Sequence, residues 1–336
     1  MTTLPGDAST LHDDFGEPST PEPGTPAAKA IEGRSLTKIA WTRLKRDKVA
    51  MTAGCVVVVM CLLGLFSALI YPHLGGGPQL PHSDLIDGNT TLPTGTAGGV
   101  SAQHWLGVDP TFGRDMAARI VEGAKWSLLI SFASTILTVI LGLVAGLLAG
   151  YFGGWVDSMV NWLMAVFLAF PVVLFGIALV SGMPTTAFGL DNLWLHVVLL
   201  ILIIGGFGWA YFGRIVRGQV LTLREKEFVD ASRSLGAGEL RIVFKEIMPN
   251  LIAPILVFTS LQIPANILAE AAFSFLGVGI PLPHASWGGM LNDALNYYEY
   301  DPAYLFIPGI AIFVTVLAFN LFGDGVRDAF DPKAGR

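Results

Sequence analysis

The fold class follows from one stretch, Trp126-SLLISFASTILTVILGLVAGLLAGYFGGW-Val156, which contains no Asp, Glu, Lys or Arg. A helix that spans a bilayer needs about 20 predominantly apolar residues, and this stretch is longer. Backbone polar groups in lipid must be paired within the protein, and the period-2 alternation of a membrane barrel strand is absent. The stretch therefore predicts a transmembrane helix in an all-α integral membrane protein.

Similar uncharged runs recur along the chain and predict six transmembrane helices in all. A further uncharged run, 271–292, is broken by Gly and Pro and predicts a loop. The six predicted spans are 49–71, 126–156, 158–190, 192–213, 247–269 and 302–323.

Composition excludes several classes of protein. Of the 336 residues, 53% are hydrophobic and 14% are charged, whereas a soluble globular chain is about 25% charged. The formal net charge of -6 argues against a nucleic-acid partner. No GxxxxGK[ST] phosphate loop and no metal-ligand spacing occur, so we expect no metal site and no nucleotide site of that kind. The sequence also contains no nucleophile–base pair of the kind that would indicate a membrane-embedded enzyme.

The distribution of basic residues predicts the orientation. If the N-terminus is cytoplasmic, 17 of the 20 Lys and Arg residues lie on the cytoplasmic side, and the outer side holds Arg114, Arg119 and Lys125. By the positive-inside rule, both termini are expected in the cytoplasm.

The predicted organisation has five parts. A Pro-rich, acidic cytoplasmic tail (1–40) cannot bury a core and is expected to be disordered. A basic pre-helix and the first span follow (41–72), and then an extracytoplasmic segment (73–125). The five-helix core (126–324) contains a long loop (214–250), and a short cytoplasmic tail (325–336) ends the chain.

The long loop is too long for a helix connection of two to eight residues. Apolar residues lie beside basic ones in it, at Phe228, Ala231, Leu235 and Leu240, and Gly236 is placed to end a short helix. Such a helix could lie in the headgroup layer, or it could dock a partner. The pattern alone favours neither.

Glycines at every fourth position form a flat strip in the second span, at Gly142, Gly146 and Gly150. Such a strip lets another helix approach closely. Packing within the chain and an interface with a partner subunit are both consistent with it.

The loop resembles a known family. Glu227-Phe-Val-Asp230-Ala231-Ser232-Arg-Ser-Leu-Gly236, followed by Pro249-Asn250, is similar to the EAA loop of bacterial ABC-importer permeases (EAA-x3-G-x9-I-x-L-P). Glu246 and Met248 stand where the family has Ile and Leu. Further blocks resemble the dipeptide/oligopeptide permeases of the C-subunit type. They are His104-Trp-Leu-Gly-Val-Asp109 with Gly113-Arg114-Asp115, Ala169-Phe170-Pro171, Glu270-Ala-Ala-Phe-Ser274-Phe-Leu-Gly277, and Phe319-Asn320 with Gly323-Asp324-Gly325.

The resemblance implies the type I (MetI-like) permease fold and one subunit of a larger importer in the bacterial inner membrane. A second permease subunit, ABC ATPase subunits and an extracytoplasmic peptide-binding protein would be its partners. ATP and Mg would be bound by the ATPase, so this chain is expected to hold no cofactor and to be non-catalytic. The substrate class implied is di- or oligopeptides. Nickel or another small solute is the alternative within the family, and an ATP-independent secondary transporter is a more distant one.

The resemblance also implies residue roles. Arg114, Asp115 and Asp109 are candidates for an outer latch or a contact with the binding protein, and Glu270 and Ser274 are candidates for the pathway. Glu270 could equally form a helix-end or interfacial salt bridge. The candidates for ATPase coupling are Glu227, Asp230, Ala231, Ser232, Arg233, Gly236, Arg241 and Pro249.

Overall fold

The computed structural model describes residues 36–95, 98–184, 186–187 and 189–330. In this part of the chain the regular elements are helices, with only isolated β-bridges beside them, which confirms the all-α prediction. Most of the predicted acidic tail (1–35) and the last six residues (331–336) lie outside the described residues.

Twelve α-helices are described. A π-helical turn, Ile242–Ile247, joins α9 to α10, so that 239–275 is continuous. The helices are α1 Leu36–Leu44, α2 Lys48–Leu65, α3 Ser67–Ile70, α4 Met116–Phe152, α5 Gly154–Ala169, α6 Val172–Gly182, α7 Asn192–Arg224, α8 Glu227–Ser234, α9 Glu239–Arg241, α10 Met248–Phe275, α11 Trp287–Ala294 and α12 Pro302–Phe330.

Five helices are long and apolar enough to cross a membrane: α2, α4, α7, the α9–α10 unit and α12. The remaining predicted span, 158–190, corresponds to the pair α5 and α6, which meet at an angle of 75°. Proline disfavours a helical conformation in the residue before it, and Phe170, before Pro171, is extended with φ -80° and ψ 133°. The predicted third span is therefore not one straight helix but this bent pair.

Several predicted boundaries fall inside helices, and for α4, α7 and α12 the reason is that the helix continues past its uncharged core. α1 begins at Leu36, inside the predicted tail, and its Ala40 is buried. α4 begins at Met116 in the predicted outer segment, and α12 runs to Phe330 in the predicted C-terminal tail. α7 continues to Arg224, inside the predicted loop. Counting uncharged residues measures the lipid-embedded part of a helix, not its full length.

The glycine strip of α4 packs against α7 within the chain. A Cβ added at Gly142 would lie 2.8 Å from Phe212, one at Gly146 would lie 2.6 Å from Val216, and one at Gly150 would lie 2.7 Å from Val220. The constant offset of 70 positions means that α4 and α7 run parallel. We call these contacts the glycine seam. The alternative that the strip forms a partner interface was wrong, because α7 already occupies it.

Helix α12 packs against helices outside the α4–α7 pair. It packs against α2 and α10, and its C-terminal turns cover Ala40 and Leu44 of α1 together with Ala50 of α2. Asp47 caps α2, because its carboxylate accepts hydrogen bonds from the N–H groups of Val49 and Ala50 at 2.9 and 3.1 Å.

Candidate functional site

Residues 225–247, which we call the α8 segment, connect α7 to α10. Helix α8 is anchored by a single buried side chain, Val229, in a cluster with Ile242, Val243 and Ile247. The sequence prediction missed Val229, because it lies outside the apolar stripe that was identified. One anchoring contact fixes α8 on the end of the helix bundle.

The predicted apolar stripe of the α8 segment faces outward. Leu235 is 88% exposed and Leu240 is 67% exposed, and Phe228 and Phe244 are also exposed. An isolated exposed Leu is ordinary, but four large exposed apolar side chains within 17 positions, among charged residues, favour an interaction site. We call these four side chains the α8 apolar face.

One side-chain hydrogen bond ties the α8 segment to the end of α4, and Arg224, the last residue of α7, makes two further hydrogen bonds beside it. The Tyr151 hydroxyl donates a hydrogen bond to the Glu239 carboxylate. The Arg224 Nη1 group donates to the carbonyl oxygens of Gly150 and Tyr151 at 3.3 and 3.1 Å. Between them lies a cleft of about 660 Å³, which Asp230 and Arg233 also line. The segment is therefore attached to the glycine seam and not only to its neighbours in sequence.

Gly236 ends α8 as predicted. Its φ is +79°, and its N–H donates to the Arg233 carbonyl, while the Ala237 N–H donates to the Ser232 carbonyl. A left-handed residue at this position is the usual way to terminate a helix, and glycine adopts it without steric cost. A Cβ at Gly236 would meet no atom within 4 Å. Glycine is therefore needed at this position for its positive φ and not because space is short.

The remaining coupling candidates are accessible. Glu227, Asp230, Ala231 and Arg233 are exposed and Ser232 is half-buried on α8. Arg233 pairs with Asp230 at 3.2 Å on the surface, and such exposed pairs contribute little to stability. Arg241 lies exposed in α9, and Pro249 lies exposed in the first turn of α10.

The outer candidates form a buried ionic cluster. Arg114 contacts the Asp109 carboxylate with Nε at 2.7 Å and Nη2 at 2.5 Å. Asp115 caps α4 by accepting from the Ala118 N–H at 2.8 Å, and it also pairs with His104 Nδ1 at 2.7 Å. Asp109 and Asp115 have no exposed surface. This burial fits the latch, in which the side chains hold one another, and a contact with a binding protein stays a prediction.

Arg119 joins this cluster and was not predicted. It is 1% exposed, and its guanidinium lies 3.7 Å from Asp109 and 3.6 Å from Asp293 of α11. Burial raises the pKa of Asp293, and the nearby Arg119 and Arg114 charges partly offset this rise. The cluster thus links the start of α4 to α11.

The pathway candidates Glu270 and Ser274 contact each other. The Ser274 hydroxyl donates to Glu270 Oε1 at 2.6 Å, and Glu270 has no exposed surface. Among the described residues the side-chain partner of Glu270 is this hydroxyl group and not a basic side chain, and an interfacial salt bridge with another subunit stays a prediction. Ser274 lines a cavity of about 230 Å³ with Arg119 and His284, whereas Glu270 lies behind it.

Comparison with known proteins gives the family. A family model described as a binding-protein-dependent transport system inner membrane component matches residues 142–336. A second model, the N-terminal TM domain of oligopeptide transport permease C, matches residues 35–82.

Curated relatives and one solved structure agree with these models. The chain is 36% identical to the dipeptide transport system permease protein DppC of Alkalihalophilus pseudofirmus, over 94% of this chain and 96% of that protein. It is also 36% identical to the glutathione transport system permease protein GsiD of Shigella flexneri, over 92% and 94%. A chain of the MetNI methionine ABC transporter, in an inward-facing conformation, superposes with a TM-score of 0.52 at 18% identity, over 64% of this chain and 98% of that chain, which shows a shared fold. The chain is therefore an integral inner-membrane protein that belongs to the family of binding-protein-dependent transport system inner membrane components, the permeases of ABC importers.

Proposed function

We propose that this chain is the permease subunit of an ATP-driven importer of di- or oligopeptides, and that it forms half of the translocation pathway. A second permease subunit would supply the other half. ABC ATPase subunits would bind ATP and Mg, and an extracytoplasmic binding protein would deliver the peptide. The chain itself is a non-catalytic subunit.

The observation that carries the proposal is the α8 apolar face. Leu235, Leu240 and Phe244 stand exposed on a segment that is attached to the bundle by Val229 and by the Tyr151–Glu239 hydrogen bond. A membrane-surface helix needs no such attachment to the bundle, whereas a docking element that moves the spans does. We therefore assign this face to the ATPase.

The relatives support the substrate class. DppC is named for dipeptide transport and GsiD for glutathione transport, and glutathione is itself a small peptide. A small peptide is therefore the proposed cargo of this chain as well.

The first experiment is gentle purification of the tagged chain from its own membranes, with mass spectrometry of the proteins that accompany it. We expect a second permease, an ATPase with a phosphate loop, and ATP-dependent uptake of a labelled dipeptide after reconstitution. A lone chain that transports without ATP would contradict the proposal and support a secondary transporter.

The same preparation tests the docking face. The double variant Leu235→Glu/Leu240→Glu places two charges on it, and we expect at least about a tenfold loss of the accompanying ATPase, since an unpaired charge is costly to bury in an interface. Leu80→Glu changes an exposed leucine in the loop before α4 and is the matched control. Equal ATPase recovery from both variants would refute the assignment.

A further inference from the structure

The helix that precedes the first span has a surface that the proposed transport function does not use. Ala40 and Leu44 of α1 are buried against Phe322, Val326, Ala329 and Phe330 of α12. Trp41 lies on the accessible side, 54% exposed. α1 is therefore held on the bundle by one face and presents an aromatic ring on another.

One basic side chain lies beside this ring, and two more follow it closely in sequence. Lys45 Nζ lies 5.1 Å from the Trp41 ring centroid, which is cation–π distance. Lys45, Arg46 and Lys48 are all exposed. We call Trp41, Lys45, Arg46 and Lys48 the α1 basic patch.

The position of the patch relative to the membrane follows from α2. This helix begins at Lys48, and its first exposed apolar residues, Val49 and Met51, come directly after. The patch therefore lies at the level where the chain enters the bilayer. Trp is enriched at this level because its ring is apolar and its N–H is polar.

The net charge of the patch is positive. The acid inside it, Asp47, has its carboxylate bound to two N–H groups of α2. Asp324 and Asp328, exposed near the end of α12, are accompanied by Arg327. Lys45, Arg46, Asp47 and Lys48 together carry a net charge of +2, and among the described residues no ion pair involves the three cations. Clusters of Lys and Arg immediately beside a span attract anionic lipid headgroups.

We propose that the α1 basic patch binds the phosphate headgroups of anionic glycerophospholipids at the membrane surface where α2 begins. Lys45, Arg46 and Lys48 pair with phosphate oxygens, and the indole of Trp41 inserts among the glycerol groups. The buried contacts of Ala40 and Leu44 with α12 hold this site in place, so lipid binding does not require α1 to fold first.

Native mass spectrometry of the purified full-length chain, with the subunits that accompany it, tests the proposal. The delipidated protein is titrated with palmitoyl-oleoyl phosphatidylglycerol, or with the phosphatidylcholine of the same acyl chains. The neutral variant Lys45→Gln/Arg46→Gln/Lys48→Gln is compared with the charge-conserving variant Lys45→Arg/Arg46→Lys/Lys48→Arg. Thermal unfolding of both variants, followed by circular dichroism, checks that they are folded.

We expect the neutral variant to bind phosphatidylglycerol about tenfold more weakly than the wild type, with unchanged phosphatidylcholine binding. The charge-conserving variant should stay within about twofold of the wild type, because the attraction depends on charge. Unchanged phosphatidylglycerol binding in the neutral variant would overturn the proposal. Loss of an accompanying subunit from that variant, with lipid binding intact, would assign the patch to a protein partner instead.

Discussion

Asp109 is a carboxylate without exposed surface that depends on a single close cation. Arg114 reaches it with two guanidinium nitrogens, whereas Arg119 remains 3.7 Å away. Replacing both members of such a pair can cost little, but removing one partner leaves an uncompensated buried charge. Removing Arg114 alone should therefore destabilise the protein, even if the intact Asp109–Arg114 pair adds little net stability.

We expect Arg114→Met to destabilise the chain by about 3 kcal/mol, the low end of the cost of an unpaired buried charge, because Arg119 stays 3.7 Å from Asp109. Thermal unfolding of the purified protein in detergent measures the change. Arg233→Met breaks an exposed pair, with Asp230, and should cost less than about 1 kcal/mol. Equal shifts in the two variants would show that Asp109 is not an isolated buried charge after the substitution.

Gly236 and Gly238 are two open positions that differ in backbone conformation. Added side chains would meet no atom within 4 Å at either position, but φ is +79° at Gly236 and -69° at Gly238. Gly236→Val therefore strains the end of α8 by about 1 to 2 kcal/mol, whereas Gly238→Val does not. We expect ATP-dependent peptide uptake to fall only in Gly236→Val, with both proteins present in the membrane at similar levels. Normal uptake by Gly236→Val would contradict the coupling role of α8.

Among the elements, the α4–α7 pair is the most tightly packed along the glycine seam. Gly146 has Val216 Cβ and the Gly213 carbonyl within 2.8 Å of where its own Cβ would stand. We expect Gly146→Ala to lower the free energy of unfolding by about 1 to 3 kcal/mol through overpacking.

Gly218, on α7, is the matched control for this substitution. It is exposed, with no atom within 4 Å of an added Cβ. Gly218→Ala should therefore stabilise the helix by about 0.5 to 1 kcal/mol. The unfolding midpoint should fall in Gly146→Ala and rise in Gly218→Ala. An unchanged midpoint in Gly146→Ala would mean that α4 and α7 can separate at the glycine seam at little energetic cost.

For the whole molecule, sequence reasoning predicted what depends on composition and local pattern. The spans followed from uncharged runs, and the end of α8 followed from Gly236. The family followed from ordered motifs such as Glu270-Ala-Ala-Phe-Ser274. The orientation, with both termini cytoplasmic, stays a prediction.

The sequence did not reveal contacts that depend on how distant helices meet. Tyr151 and Glu239 are 88 positions apart, and nothing in either local sequence indicates the other. Arg119 and Asp293 were missed for the same reason. The bend at Phe170–Pro171 had a local signal, since a proline within an apolar run commonly breaks the helix before it.

α4 begins at the outer ionic cluster, where Asp115 caps it, and ends at Tyr151, which bonds to the α8 segment. A helix of 37 residues is about 55 Å long, and over its second half it is fused to α7 by the glycine seam. The two helices thus form one stiff rod that runs through the molecule. Under the proposed coupling, a displacement of α8 would reach the ionic cluster of Asp109 and Arg114 through this helix, because no loop interrupts it between Met116 and Phe152.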